Sequence, residues 1–379
     1  MSNTLTNLIP DLYQSLDVVS RELTGLIPAV TLDPGISRAA VGENVRSFVA
    51  PAASASDITP AVTPPNDGDQ TIGNVVLQIT KARRVPFRWN GEETRGVNNG
   101  PGFASVRNAQ LQQAIRTLVN EIEADLAALH AQASRAYGTP AATPFGTAGD
   151  YSDAAQVRKI LVDNGAGESD LQLVLDTGAG ANLRGKQAQA QMAGGDTLQR
   201  QGVLLDLSGM AIRESAQIKN PTKGTGASYT TTAAGFAVGT TSIPLITGTG
   251  TILAGDVITI GSDPNKYVVA TGIAAPGTIV LAAPGLRQAV PASAQNVTVQ
   301  NTSVRNMAFR RSAIVLATRA PALPDGGDSA RDRTLVTDPR SGITFEVAMY
   351  PQYRQMQYEI SAAWGAQVIK AEHTALLLG

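Results

Sequence analysis

Cysteine is absent from the 379 residues of this chain, which excludes disulfide scaffolds, thiolate metal sites and cysteine nucleophiles together. Histidine is nearly absent. His130 and His373 stand far apart with no H-x-x-x-H spacing, so an imidazole-built zinc or iron site has no ligand set to draw on. Each reads as an exposed or capping histidine. Aromatic residues make up 4% of the chain against 43% hydrophobic residues overall, so the core must rely on Ala, Val, Leu and Ile. Neither sign of charge is in excess: 30 Lys and Arg face 31 Asp and Glu, for a formal net charge of −1. A dedicated nucleic-acid binder would present a basic field instead. No apolar run reaches the roughly 18–20 residues of a membrane span, and MSNTLTNLIPDLYQSL lacks the basic-then-apolar order of a signal peptide. These absences predict a soluble protein compatible with a reducing cytoplasm.

Glycine and proline are plentiful, at 37 and 21 residues, and mark turns and extended segments. Leu8, Ile9, Leu12, Leu16, Val19 and Leu23 recur at helical spacing and predict a helical arm over 3–27. Beyond it, Pro51, Pro60, Pro64 and Pro65 surround the polar tip NDGDQ. An extended run from Val75 to Trp89 follows, with Leu77, Ile79, Val85, Phe87 and Trp89 on one side. Together these predict a long two-stranded loop projecting from the body over 39–99. Segment 103–137 places Leu111, Ile115, Leu118, Ile122, Leu126, Leu129 and Ala133 on one stripe of a long helix, with Arg116, Asn120, Glu123 and Gln132 off it. A helix over 151–164, a buried strand over 171–176, a helix over 183–192 and two strands within 203–218 come next.

Between residues 222 and 302 the texture changes again. The β-branched runs TTSIPLI, DVITI, KYVVAT, TIVLA and NVTVQ alternate with Gly, Pro and Asn turn signals, the pattern of a small all-β sandwich or barrel. The stretch 230–261 holds a single charged residue, Asp256. Prolines and glycines that break each run weigh against an aggregating segment. Extended segments over 305–319, 342–350 and 358–369 and the closing ALLLG complete an α+β chain. The flanking segments GMAIRES and NMAFRRSAIVLATR are expected to meet in space.

One stretch approaches a catalytic motif. Gly180 to Lys186 matches G-x-x-x-x-G-K, but Gln187 stands where Ser or Thr would bind Mg²⁺. With Asp206 as a strand-borne acid it gives the alternative reading, a P-loop-like nucleotide hydrolase; the plainer one is a glycine turn entering a helix. Charge is locally uneven. Lys81, Arg83, Arg84 and Arg88 make the loop basic, and Glu121, Glu123 and Asp125 make part of the long helix acidic. These are either two solvated faces or an intersubunit contact set in which loop and helix of neighbouring copies meet.

The order of elements resembles the major capsid proteins of tailed double-stranded-DNA phages, the Hong Kong 97-type fold. It is most similar to the podovirus coat proteins that carry an inserted β-domain. GVLLDLSGMAIRES (202–215) before the insert, LAGDVITIG within it, NMAFRRSAIVLATR (306–319) after it, and the closing SGITFEVAMY and YEISAAWGAQVIKAEHTALLL carry the resemblance. It implies an N-terminal arm at 1–38, an E-loop at 39–99 and a spine helix at 100–138. A first axial and peripheral part at 139–221, an inserted β-domain at 222–302 and a closing sheet at 303–379 would follow. It further implies a protein with no catalytic, cofactor or metal site, which self-assembles into the pentamers and hexamers of an icosahedral virion shell. A scaffolding protein and a portal would be its partners, and packaged double-stranded DNA would be touched weakly and non-specifically. Another self-assembling β-rich phage structural protein is the remaining alternative. Some members of the family crosslink an E-loop Lys to an Asn. Lys81 is the only lysine in 39–99 and no Asn lies in 320–379, which implies a shell without crosslinks.

Overall fold

The computed structural model describes residues 25–34, 38–49, 73–98, 102–147, 149–189, 206–337 and 343–379, with 55, 57–60, 62–63, 69 and 204 between them. The helical arm expected over 3–27 lies outside these residues except at its last three. Ile27–Ala29 form one 3₁₀ turn, and strand β1 (Thr31–Pro34) follows. Strands β2 (Asn44–Val49) and β3 (Gly73–Gln78) pair antiparallel as a hairpin.

The extended run from Val75 to Trp89 is divided, because β4 (Lys81–Asn90) is a separate strand. The division falls where the chain crosses another backbone. The Thr80 N–H donates to the Trp364 carbonyl, and a Cβ at Gly365 would stand 2.0 Å from the Gln78 carbonyl oxygen. Residues 81–90 therefore join the body, which corrects the expectation that all of 39–99 projects from it.

Helix α1 (Gly91–Val97) opens on a capping box in which Asn90 and Glu93 each accept the other's backbone N–H. The long helix α2 (Phe103–Ala128) buries Leu118, Ile122 and Leu126 at 0–1% exposure, as its stripe predicts. It ends at Ala128, nine residues before the predicted segment 103–137 does. A 3₁₀ turn at Leu129–Gln132 tightens the last turn, Ala133 becomes extended, and the chain enters β5 (Arg135–Tyr137). Leu129 and Ala133 stay in the core throughout, so apolar periodicity alone does not register the change.

Helix α3 (Ser152–Asp163) stops before Gly165, which takes φ +81°. Strand β6 (Leu171–Leu175) is wholly buried. Helix α4 (Thr177–Gln189) and strand β7 (Met210–Glu214) follow. Each of the five predicted runs between 222 and 302 contains a strand. After β8 (Tyr229–Thr230) come β9 (Ser242–Pro244), β10 (Val257–Ile260), β11 (Lys266–Thr271), β12 (Thr278–Leu281) and β13 (Asn296–Val299). The last part of the chain holds six strands and two 3₁₀ turns (Arg311–Ala313 and Ala371–His373) among its described residues: β14 (Arg305–Arg310), β15 (Ile314–Arg319), β16 (Asp332–Thr337), β17 (Thr344–Gln352), β18 (Gln355–Val368) and β19 (Thr374–Leu378).

Among the described residues these strands form two large sheets besides the hairpin. One runs β1-β15-β18-β17-β16, with β4 lying along β18. The other runs β7-β6-β14-β19-β5-β11-β10-β13-β8, with β12 and β9 branching from β11. Helix α2 packs with both: Leu118, Ile122 and Leu126 share one apolar cluster with Phe345, Ile360 and Trp364 of the first sheet and with Met307, Phe309 and Leu376 of the second. The segments flanking the β-insert meet across one intervening strand, since β6 pairs with β7 on one side and β14 on the other.

The insert has a core of its own, built on Tyr229, Ile243, Ile258, Val269, Ile279 and Val297. It does not close on itself completely. Strand β11 also pairs with β5, at Lys266↔Ala136 and Tyr267↔Arg135, so the insert's strands continue the body sheet. Arg135, 4% exposed, fixes the joint by donating to Asn265 at 3.0 Å and Asn164 at 3.2 Å. The charged residues of 222–302 are Lys223, Asp256, Asp263, Lys266 and Arg287, and among them only Arg287 is exposed.

Candidate functional site

The charged residues of β4 and α2 are brought together within one chain. Lys81 Nζ lies 2.7 Å from Asp125 Oδ1 and 3.4 Å from Glu121 Oε1, and Arg83 Nε lies 3.1 Å from Glu121 Oε1. Asp125 uses its second oxygen to accept the indole N–H of Trp364 at 2.9 Å, whose side chain is fully buried. The hydrogen bond that Lys81 donates to Asp125 holds the Lys81 pKa above its ordinary value, so this ammonium stays charged. The cluster joins three elements at the root of the β2–β3 hairpin: the start of β4, the C-terminal part of α2 and β18.

Arg84 points to the other face of β4, where it pairs with Glu359 at 2.6 Å. Arg88 is also exposed. On the inner face Phe87 stacks on Tyr358 with ring centroids 5.3 Å apart, and the Arg107 guanidinium sits 5.8 Å from the same Tyr358 ring. Of the residues expected to reach a neighbouring copy, then, Lys81, Arg83, Arg84, Glu121 and Asp125 have partners inside the chain. Arg84 and Arg88 remain exposed.

Glu123 departs furthest from expectation. It is 0% exposed and takes no part in an outward face. Its carboxylate accepts the backbone N–H groups of Leu26 and Ile27 at 3.0 Å and the Ser215 hydroxyl at 3.0 Å. Burial is the largest influence on it and raises its pKa, while the hydrogen bonds from Ile27, Leu26 and Ser215 act against that rise. Helix geometry carries the signal that separates it from its neighbours. At about 100° per residue, positions 121 and 125 share a face while 123 points the opposite way. Alternate acids on a helix are not one patch.

The G-x-x-x-x-G-K match forms no phosphate-cradling loop, because Gly180 to Lys186 all lie within α4. A Cβ at Gly180 would stand 2.8 Å from the Glu214 carboxyl carbon, so this glycine makes room for an acid that Arg184 bonds. Lys186 is buried, donates to the Asp150 carbonyl at 2.6 Å, and lies 5.7–5.8 Å from the rings of Tyr151 and Phe145. Asp206 is exposed. The nucleotide reading loses its geometry. Both histidines prove buried rather than exposed, at 8%. His130 does cap: its Nδ1 lies 3.0 Å from the Ala127 carbonyl at the end of α2. Burial lowers both pKa values. Among the described residues no group of three potential ligands is placed to hold a metal ion, and no helix is long and apolar enough to cross a membrane.

The hairpin, the long helix across two sheets and the β-insert define a class that sequence comparison does not reach. No protein-family profile matches the chain, and no curated protein is detectably similar in sequence. Solved structures are. The capsid structure of cyanophage P-SCSP1u matches over 95% of this chain and 89% of its own, at TM-score 0.51 and 9% identity. The capsid of a native GTA particle matches over 95% and 93%, at TM-score 0.46 and 10% identity, and a Mycobacterium phage Che8 chain over 90% and 88%, at 0.43 and 12%. The fold is α+β and of the Hong Kong 97 type found in tailed-phage capsids.

Proposed function

We propose that this chain is a major capsid protein, a structural subunit that self-assembles into a closed icosahedral shell around packaged double-stranded DNA. The observation that carries this reading is the likeness to the cyanophage capsid chain over nearly the whole length of both. The architecture supports it. Helix α2 packs against both sheets and makes a stiff wall element, while the β2–β3 hairpin is rooted beside the Lys81–Asp125–Trp364 cluster. Pentamers and hexamers would be joined through such elements, with Arg88 offering charge to a neighbouring copy. The near-zero net charge suits a container whose wall must not grip its contents. A scaffolding protein and a portal are the partners this role requires, the virion is its place, and it needs no catalytic group.

Electron microscopy of the expressed chain, alone and with a scaffolding partner, tests the reading. Closed shells of uniform size are expected. A chain that remains a soluble monomer under every condition, or one that binds and turns over a nucleotide in a Lys186-dependent way, would overturn it.

A further inference from the structure

The β-insert meets the end of helix α2 at one histidine. His130 is buried in the 3₁₀ turn that follows α2. Its Nδ1 lies 3.0 Å from the Ala127 carbonyl oxygen. A carbonyl only accepts, so Nδ1 carries the proton and Nε2 of the neutral ring is an acceptor. That nitrogen faces the insert: a Cβ at Gly255 would stand 3.0 Å from it and 3.2 Å from the Ala131 Cβ. Gly255 belongs to a turn that Asp256 holds together. The Asp256 carboxylate accepts the Leu253 N–H at 2.8 Å and, where the chain enters the insert, the Gly224 N–H at 3.0 Å. The Gly255 N–H donates to the Val269 carbonyl at 2.7 Å and the Val269 N–H to the Asp256 carbonyl at 2.9 Å. The turn is thus tied to β11, the strand that joins the insert to β5.

The charges around His130 favour a neutral ring. Burial is the largest influence and outweighs the hydrogen bond to Ala127, and Arg305 of β14 and Lys219 act in the same direction as burial. Arg305 is 1% exposed; its Nη1 donates to Ser303 at 3.1 Å, while Nε and Nη2 have no hydrogen-bond partner among the described residues. The acid that acts on Arg305 is Asp256, whose carboxylate already accepts the two N–H groups of the turn and the entry. The other elements packed on His130 bring no compensating acid. Asp125 of α2 is bonded to Lys81 and Trp364, and Glu359 of β18 pairs with Arg84. On β11, Lys266 donates to the Gly138 carbonyl and Tyr267 to Asp263.

We infer that His130 is a proton-operated latch between the β-insert and the body: the neutral ring lets the turn 253–256 seat against the end of α2, and a proton taken up on Nε2 unseats it. The added N–H would press on Gly255 in a buried site beside two cations, and local opening relieves that cost. Opening returns the ring to its ordinary value of 6.5, so the open form binds the proton first. The sign follows. The seam is held in full above pH 6.5 and weakens as pH falls below it, by up to about tenfold in the opening equilibrium per pH unit for one proton. This latch governs how the insert is carried on the body, and it operates whether or not copies assemble.

Amide hydrogen exchange of the full chain between about pH 7 and pH 5, corrected for the intrinsic rate at each pH, tests it. Protection at Gly255, Asp256 and Val269 should fall at least about threefold in the parent, while Ile243 and Ile279 in the insert's own core keep theirs. His130→Asn keeps a donor for the Ala127 carbonyl and does not titrate, so protection at the same three amides should stay within about twofold across the range. His373→Asn removes the other buried histidine and should behave as the parent. A flat parent profile, a His130→Asn variant that follows the parent, a response abolished by His373→Asn, or a loss shared equally by the whole insert would each overturn the latch. If His130→Asn does not fold, exchange at the imidazole C2 position of the parent decides instead. A ring that titrates as the turn opens upholds the latch. A ring that titrates while the turn stays protected, or a turn that opens while the ring stays neutral, overturns it.

Discussion

Glu123 is a carboxylate held in the core by backbone N–H groups and one hydroxyl. Removing its acceptor capacity leaves buried donors unmet, so Glu123→Gln should destabilise the fold by about 1–3 kcal/mol, read by urea denaturation at pH 7. The pH dependence has a definite sign. Its folded-state pKa lies above the ordinary 4.5, so the folded chain binds more protons than the unfolded one just above that pH. There this group makes stability fall as pH rises. Just above pH 4.5 the unfolding free energy of the parent should therefore slope more negatively than that of the Gln variant. Asp125 is a second test at this scale. Asp125→Ala strands the buried Trp364 indole N–H and should cost about 1–3 kcal/mol. Lys81→Ala removes a partly exposed ion pair worth about 0–1 kcal/mol. Equal losses in the two variants would contradict this assignment of weight to the indole. That opposite charges on 81–88 and 121–125 belong together is legible in the sequence. That they meet inside one copy is not, because it depends on β4 lying beside β18, a pairing fixed by residues nearly 300 positions away.

Elements were legible wherever periodicity and burial agree. The stripe of α2, the all-apolar β6 and the β-branched runs of the insert each state their own conformation, because one face or both must leave water. Boundaries set by tertiary crossings were hidden. The division between β3 and β4 exists because β18 passes beneath it at Gly365, and nothing in KARRVPFRW announces that passage. Gly365→Ala should be severe for the same reason, since its Cβ meets backbone and not a flexible side chain. We expect loss of soluble protein, or a fall in thermal midpoint of more than about 5 °C if it folds. At the joint of the insert, Arg135→Ala should raise hydrogen exchange at Lys266 and Tyr267, the residues paired with β5. The strands around Ile243 and Ile279, which rest on the insert's own core, should keep their protection.

At the scale of the whole molecule, strand content and element order suffice for the fold class but not for strand neighbours. The insert reads as self-contained because its runs are short and regular, and only the geometry of β5 reveals that its sheet continues the body. Assembly is the property to test here. Arg88→Glu changes one exposed side chain and should leave stability within about 1 kcal/mol of the parent, while shell yield falls. Unchanged yield would remove Arg88 from the contacts between copies.

Strand β19 lies in the interior of its sheet, antiparallel to β14 on one side and parallel to β5 on the other. Its consequence is one of timing. During synthesis β14 and β5 are both made long before their shared neighbour, and each must wait with an open edge until residues 374–378 leave the ribosome. Residues 374–378 thus complete the sheet. A chain released early cannot join β5 to β14 and should be cleared by proteases before it meets another copy, which pulse-chase of a chain stopped after Glu372 would reveal. Two halves of one sheet thus depend for their join on a single strand made after both of them.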